Sequence, residues 1–335
     1  MKKQSTAIQT EAKPFCPLCG ERGEMFYSRL KDHLFGAPGE WDLYKCPTRN
    51  CGLLWLNPAP TPEDIGKAYQ SYYTHGDTGE SLARKFIKTV YTFLSRVPEW
   101  TVGLAQARKR MRWLYLDNLF PGKLLDVGCG DGLYLHFMAG KGWKTEGLDF
   151  DADALKRARE TYGLNVHQSD LFSRHYPAHT FDAVTLRHVI EHLPDPLGVL
   201  RECLRILRPG GTLVIVTPNS ESLGHGLTHE CWRGLEVPRH LQIFSLTSLK
   251  LCAGLLGAQP GEFQAFTTAT GADFILDESL ALQSRKHSNL PHGEQKKTLH
   301  WTRTLRAIRL QYQEHLSLEK DPSIGEEVVL ILNKK

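Results

Sequence analysis

The chain has 335 residues, 41% hydrophobic and 23% charged, with a formal net charge of +4, a composition typical of a globular protein with room for about two domains. The mild basicity is spread along the sequence and does not mark a nucleic-acid binder. No stretch reaches the roughly 18 apolar residues of a membrane span, and the opening M-K-K-Q-S-T-A-I-Q-T lacks the apolar run of a signal peptide; a cytoplasmic location follows as the expectation, with the eight cysteines reduced or bound to metal.

Four of those cysteines come first. Cys16 and Cys19 stand in C-P-L-C-G, and after 26 intervening residues Cys46 and Cys51 stand in C-P-T-R-N-C-G. Gly20 and Gly52 follow the two pairs and permit a tight knuckle around each. Four thiolates at two hairpin tips suit one tetrahedral Zn2+, and a closed four-ligand site is structural. The second pair is two residues wider than the common C-x2-C, and four unconnected thiols are the alternative. Trp41, Leu43 and Tyr44 read as one strand of a small ribbon.

Thr61 as N-cap, Pro62 at the first helical position and Asp64 at the third predict a helix through Tyr69, leading to Tyr72 and Tyr73. Residues 82–97 put Leu82, Phe86, Val90, Phe93 and Val97 on one helical face, with Arg84, Lys85, Lys88 and Arg96 off it. A further helix is expected from Trp100 to Phe120. A basic amphipathic helix either covers its own sheet or lies on an anionic membrane surface, so peripheral membrane contact stays open.

Residues 123–132 read K-L-L-D-V-G-C-G-D-G. Leu124, Leu125 and Val127 predict a buried parallel strand, Gly128, Gly130 and Gly132 a turn, and Leu133 to Ala139 a helix. Strand, glycine turn and helix N-terminus make a nucleotide-sized site in a doubly wound α/β fold. The third glycine comes one residue early for a dinucleotide fingerprint. Asp126 would also face a diphosphate, and suits instead a ligand with a cationic end. A second strand, Lys144 to Phe150, carries Asp149, which falls 21 residues after Gly128, where an acid can take both ribose hydroxyls.

Asp151 caps a helix from Ala152 to Tyr162. A third strand runs from Val166 to Asp170 and a fourth from Phe181 to His188. Asp195-Pro196 opens a helix that closes at Arg208-Pro-Gly-Gly211, and Thr212 to Thr217 is the fifth strand. Residues 221–240 read as a long loop holding His225, His229, Cys231, Trp232, Arg239 and His240; H-x3-H-x-C there is a weak second metal motif, because glycines interrupt any helix that would align it. Ser245 to Leu256 is a helix. Gly261 to Thr267 and Glu326 to Leu332 are the last strands, with a helical insertion carrying Trp301 between them.

The run D-x-G-x-G-x-G, then H-V-I-E-H-L-P-D-P, then L-R-P-G-G-T-L, in order across 123–219, resembles the class I S-adenosylmethionine (SAM) methyltransferases. The stretches G-E-W-D-L-Y-K-C-P, L-W-L-N-P-A-P-T-P-E-D-I and V-P-R-H-L-Q-I-F-S resemble bacterial small-molecule and sugar methyltransferases with an N-terminal zinc segment. The resemblance implies an α/β, Rossmann-like seven-stranded sheet closed by an antiparallel pair, with a zinc-ribbon segment over 1–58, a helical connector or lid over 59–119, and a SAM-binding domain over 120–335. Within that domain the acceptor loop is 220–245 and the helical insertion 272–322.

It further implies SAM held by Asp126, Gly128, Cys129, Gly130, Gly132, Asp149, Phe150, Asp170, Leu171, Arg187 and His188, with Asp170 on the adenine amino group and Tyr73 against the sulfonium. The expected activity is methyl transfer to an O or C atom of a small-molecule or glycan-type acceptor. An RNA methyltransferase guided by the ribbon is the alternative, although residues 1–58 lack the basic and aromatic interleaving of an RNA surface. A non-catalytic partner protein is a third reading. A hydroxyl or carbon acceptor needs a base, for which His188, His192, His240 and Glu191 are candidates. The Asn/Asp-Pro-Pro-aromatic motif of amine-methylating enzymes is absent after strand four. Nothing in the sequence speaks to oligomeric state.

Overall fold

A computed structural model describes residues 7–69, 104–287 and 299–335. The expected helix over 82–97 and the tyrosines Tyr72 and Tyr73 lie outside the described residues. In chain order, the N-terminal strands are β1 (Thr10–Glu11), β2 (Glu24–Leu30), β3 (Trp41–Lys45), β4 (Leu54–Leu56) and β5 (Ala59–Pro60). Then come α1 (Leu104–Arg112), β6 (Lys123–Val127), α2 (Leu133–Ala139), β7 (Lys144–Asp149), α3 (Ala152–Tyr162), β8 (Val166–Gln168) and β9 (Phe181–Arg187). They are followed by α4 (Pro196–Ile206), β10 (Leu207–Pro218), α5 (Leu223–Thr228), β11 (Gln242–Ile243), α6 (Leu246–Leu255), β12 (Phe263–Thr268), α7 (Ala272–His287), α8 (Leu299–Ser317) and β13 (Glu327–Asn333).

Seven strands pair in the order β12-β13-β10-β9-β6-β7-β8. The pairs β6–β7, β6–β9 and β7–β8 are parallel. Gly210 N–H bonds Lys334 O and Asn219 N–H bonds Glu326 O, so β13 runs antiparallel to β10. The chain builds outward from β6 through β7 to β8, then returns to the other side with β9. That reversal is the topological switch point, and ligands of such sheets bind beyond the strand carboxyl ends there. The glycine loop after β6 is therefore where the sheet calls for a ligand.

Compactness divides the chain into one unit of residues 1–72, 188–198 and 216–330 and another of 73–187, 199–215 and 331–335. In the first unit, β2, β3 and β4 form an antiparallel ribbon, and β11 adds the fourth strand through Gln242↔Trp55 and Ile243↔Leu54. Its core joins Trp41, Leu43, Leu54 and Leu56 of the ribbon to Trp232, Leu235, Val237 and Ile243. A ribbon this short buries too little by itself, and here it shares one apolar core with the segment that follows β10.

The structure corrects several local expectations. The segment after Thr61 forms only a 3-10 turn over Ile65–Tyr69. Asp64 does not serve the cap; its carboxylate accepts from Gln9 N–H at 2.8 Å and from Lys67 Nζ, tying β1's approach instead. The helix expected to reach Phe120 stops at Arg112, where Leu114 and Tyr115 take positive φ of 44° and 58°. The third strand ends at Gln168, short of Asp170. The fifth begins at Leu207 rather than Thr212, because Gly210 and Gly211 pair with Lys334. The segment 221–240, expected to be a long loop, is partly helical and largely buried: α5 and 3-10 turns over His229–Cys231 and Arg233–Leu235 pack it down.

Candidate active site

The glycine loop is fixed from beneath. Gly128 N–H and Cys129 N–H both donate to Leu148 O, at 2.7 and 2.9 Å. Gly130 N–H donates to Asp149 Oδ2 at 2.8 Å, and Asp151 N–H to Asp149 Oδ1 at 2.9 Å. The amides that a phosphate-binding loop would turn toward its ligand are thus spent inside the loop. Leu133 N–H, at the start of α2, is taken by Asp131 Oδ1 at 3.2 Å. Gly128 and Gly130 hold φ of 76° and 53°, a region costly for other residues. Gly132 serves packing: a Cβ there would stand 2.5 Å from Leu164 Cδ1 and 3.0 Å from Ala158 Cβ.

Above the loop opens a cleft of about 800 Å³ lined by Asp126, Gly128, Cys129, Gly130, Asp131, Tyr134, Arg187 and, from the helix before the sheet, Arg112. Asp126 lies in β6 between Gly147 and Thr185 and accepts from Thr185 Oγ1 at 2.6 Å. Burial, with the charge of Asp149, pushes its carboxyl up to about 7 against the pull of the Thr185 bond. A buried acid held so high gains from a cation beside it. Cys129 is no nucleophile: its thiol is buried against Gly147 and burial pushes its pKa up. Leu133, Phe150 and Phe172, from the loops after β6, β7 and β8, are exposed by 60%, 72% and 50%, an apolar surface of the kind that a ring covers. Asp170 caps its own turn through Ser173 N–H at 2.8 Å. Leu171 is buried.

The cleft's own residues include Tyr134 and Arg112, which sequence reasoning did not select. Tyr134 is the second residue of the helix after the glycine loop, and that position was the available signal. Arg112 carried none, because its place depends on where α1 ends.

After β9 the chain turns sharply. His188 takes φ 53°, and its amide bonds Val216 O at 2.8 Å. Residues Ile190–His192 form a 3-10 turn. The imidazole of His188 lies between two carboxylates, with Nε2 3.0 Å from Glu327 Oε1 and Nδ1 3.5 Å from Glu191 Oε1. Burial lowers its pKa, but the bonds to Glu191 and Glu327 outweigh it and raise it to about 9. His188 is therefore an imidazolium at neutral pH, unable to accept a proton. Glu191 is fully buried; burial works against its charge, but the bond to His188 outweighs it and holds its carboxyl below the usual carboxylate range.

Leu241 N–H donates to Glu191 O at 2.8 Å, which fastens this turn to the segment carrying His240. The rings of His192 and His240 meet edge to face at 4.7 Å. Burial lowers both their pKa values, that of His240 well below the usual value, so both are neutral. His225, by contrast, is spent on Ser220 O and Tyr27 Oη. Among the described residues, H-x3-H-x-C does not assemble as a metal site; the groups that do are the four cysteines and Glu191 with His192 and His240.

The four cysteine sulfurs all lie within 4.8 Å of one another. Cys16 Sγ is 3.6 Å from Cys51 Sγ, and Cys19 Sγ is 3.4 Å from Cys46 Sγ. A zinc tetrahedron with bonds of about 2.3 Å has edges of roughly 3.8 Å, so the spacing fits. The amides of Leu18 and Cys19 face Cys16, that of Glu21 faces Cys19, and that of Leu53 faces Cys51. Gly20 and Gly52 take the positive φ of 77° and 64° that each knuckle requires.

Residues 103–259 match the family model described as a methyltransferase domain. The chain is 37% identical over 108 residues to a ubiquinone biosynthesis O-methyltransferase of Sodalis glossinidius (strain morsitans), covering 30% of this chain and 43% of that one. It is 35% identical over 118 residues to the enzyme of the same name from Thiobacillus denitrificans, covering 33% and 50%. The matches thus span about half the length of these relatives or less. A SAM-dependent methyltransferase structure from Archaeoglobus fulgidus aligns with a TM-score of 0.44 and 21% identity, over 73% of this chain and all of that one. The part of the chain that matches the methyltransferase-domain model, residues 103–259, holds the glycine loop at the sheet's switch point.

Proposed function

We propose that the protein transfers the methyl group of SAM to an oxygen of a small-molecule acceptor. The cofactor reading rests on one observation above all: a loop whose amides are spent internally and whose cleft presents Asp126 and Asp131, with Asp149 bound beneath it. Such a site repels phosphate and suits a cationic ligand with hydroxyls. Asp149 would take the ribose hydroxyls, each of its oxygens keeping a lone pair beyond the amide it already accepts. Asp170 would take the adenine amino group, with Leu133 and Phe150 against the ring. Bound SAM supplies an activated methyl group on a sulfonium.

The oxygen acceptor is favoured by the name of the relatives and by the absence of the amine-methylating motif. The chain's own task is to align that acceptor and to help its proton leave. His188, held between Glu191 and Glu327, whose bonds raise its pKa, is disfavoured as the base. The task falls to Glu191, His192 and His240. The cysteines would hold one structural zinc. Calorimetry with SAM, S-adenosylhomocysteine and NADH tests the reading. SAM and S-adenosylhomocysteine are expected to bind and NADH is not; binding of NADH alone would overturn it.

A further inference from the structure

We propose that the cleft carries, along α2, a subsite for an oxyanion, the carboxylate or phosphate of a second small ligand, formed by Arg112 and Lys141 around the ring of Phe137. All three residues line the cleft. The guanidinium carbon of Arg112 sits 4.3 Å from the centroid of that ring. Lys141 Nζ stands 5.7 Å from the same ring and 5.7 Å from the ring of Trp113. Trp113 meets Phe137 edge to face at 5.4 Å, which fixes the plane on which both cations rest.

Neither cation has an anion beside it. Among the described residues, Arg112 and Lys141 form no ion pair and donate no side-chain hydrogen bond; their printed contacts are to rings. The shared ring holds the two charges within about a Debye length of each other, roughly 10 Å at 0.1 M salt. Helix α1, L-A-Q-A-R-K-R-M-R, adds Arg108, Lys109 and Arg110 and no acid. Like charges gathered so repel, and an anion among them relieves the repulsion. A lysine past the end of a helix gains from the carbonyls there, which accounts for Lys141 and not for Arg112.

The donors are arranged for the task. Stacking on a ring uses the face of a guanidinium and leaves its N–H groups, at the edge, for a forked bond to carboxylate or phosphate. Lys141 supplies a second, mobile charge from the other end of the helix.

The carboxylate of SAM is a different group. It shares one carbon with the ammonium, so it stays beside whatever the ammonium meets. In the function proposed above Asp126 draws the cationic end, and the cation facing Asp126 is Arg187. Lys141 follows the far end of α2, roughly 10 Å from the end that meets the glycine loop. The acceptor this subsite fits carries a carboxylate or phosphate besides its hydroxyl. That assignment rests on the methyl-transfer reading; the subsite itself does not.

The test titrates inorganic phosphate into the full chain by calorimetry, with and without saturating S-adenosylhomocysteine. Saturable binding is expected, equally tight in both, and weakened about tenfold or more in Arg112→Gln and in Lys141→Gln, as for a lost bond to a charged group. Both side chains are exposed, so the variants should fold, and melting temperatures check that. Absence of saturable phosphate binding in the wild type, or binding that either variant leaves unchanged, would overturn the proposal. So would phosphate competing with S-adenosylhomocysteine while both variants weaken that ligand and spare methylthioadenosine, which lacks the amino acid; the pair would then read the cofactor's own carboxylate. Phosphate binding that needs both residues, in a chain that binds no S-adenosylhomocysteine, would support the subsite while removing the acceptor along with the function proposed above.

Discussion

Asp149 has two duties, and both bear on what its loss would do. It clasps the glycine loop through Gly130 and Asp151, and in the function proposed above it takes the ribose hydroxyls. Asp149→Ala is expected to weaken SAM binding by roughly 2 kcal/mol, about thirtyfold, as for lost bonds to a charged group. Unchanged affinity by calorimetry would remove the ribose assignment. Asp126, held up to about 7 by burial, should ionise when a cationic ligand binds. SAM affinity should therefore rise as pH climbs through about 7, with a proton released on binding, read from enthalpies in buffers of different ionisation heat. His188 has the opposite sign. Its pKa of about 9 lies above the unfolded value of about 6.5, so the stability it contributes is fully present below 6.5 and lost as pH rises through 9. Melting temperatures across that window should show the fall in the wild type and a flatter profile in His188→Gln.

At the scale of elements, the ribbon and the segment after β10 fold as one body, because β11 completes the ribbon's sheet and Trp232, Leu235 and Val237 complete its core. Zinc at Cys16, Cys19, Cys46 and Cys51 would then support more than the N-terminus. Cys16→Ser should lose that metal and, in hydrogen exchange, lose protection at residues 54–56 and at 241–243 together. Protection lost from 54–56 alone would show that the shared sheet holds without metal. The sequence held the cysteine spacing and the alternation at Trp41 and Leu43. It could not show β11, a two-residue strand with no period of its own, whose pairing depends on a partner nearly two hundred residues away.

At the scale of the molecule, the residues lining the cofactor cleft all belong to one compact unit, and the cysteines and the Glu191 cluster all belong to the other. Stripping metal from the cysteines with a chelator should accordingly spare S-adenosylhomocysteine affinity, measured by calorimetry; loss of that affinity would mean that the cofactor unit depends on the cysteine unit for folding. The mild net charge of +4 predicts no steep salt-dependent affinity for RNA, and a filter-binding series over ionic strength checks that.

The sequence by itself determined the sheet and its glycine loop. Strand and turn signals are local, and the positions of Asp126, Gly128, Gly130 and Asp149 follow from counting along them. It also determined the four cysteines, since ligand spacing is carried by the chain. Only the tertiary structure decided what the histidines do. His188, His192, His225 and His240 look alike as letters. A carboxylate three residues on and another from the last strand charge the first, carbonyl oxygens of buried turns orient the second and fourth, and Ser220 and Tyr27 occupy the third. An imidazole's protonation and direction are set by its neighbours in space, and those neighbours come from parts of the chain that no local pattern connects.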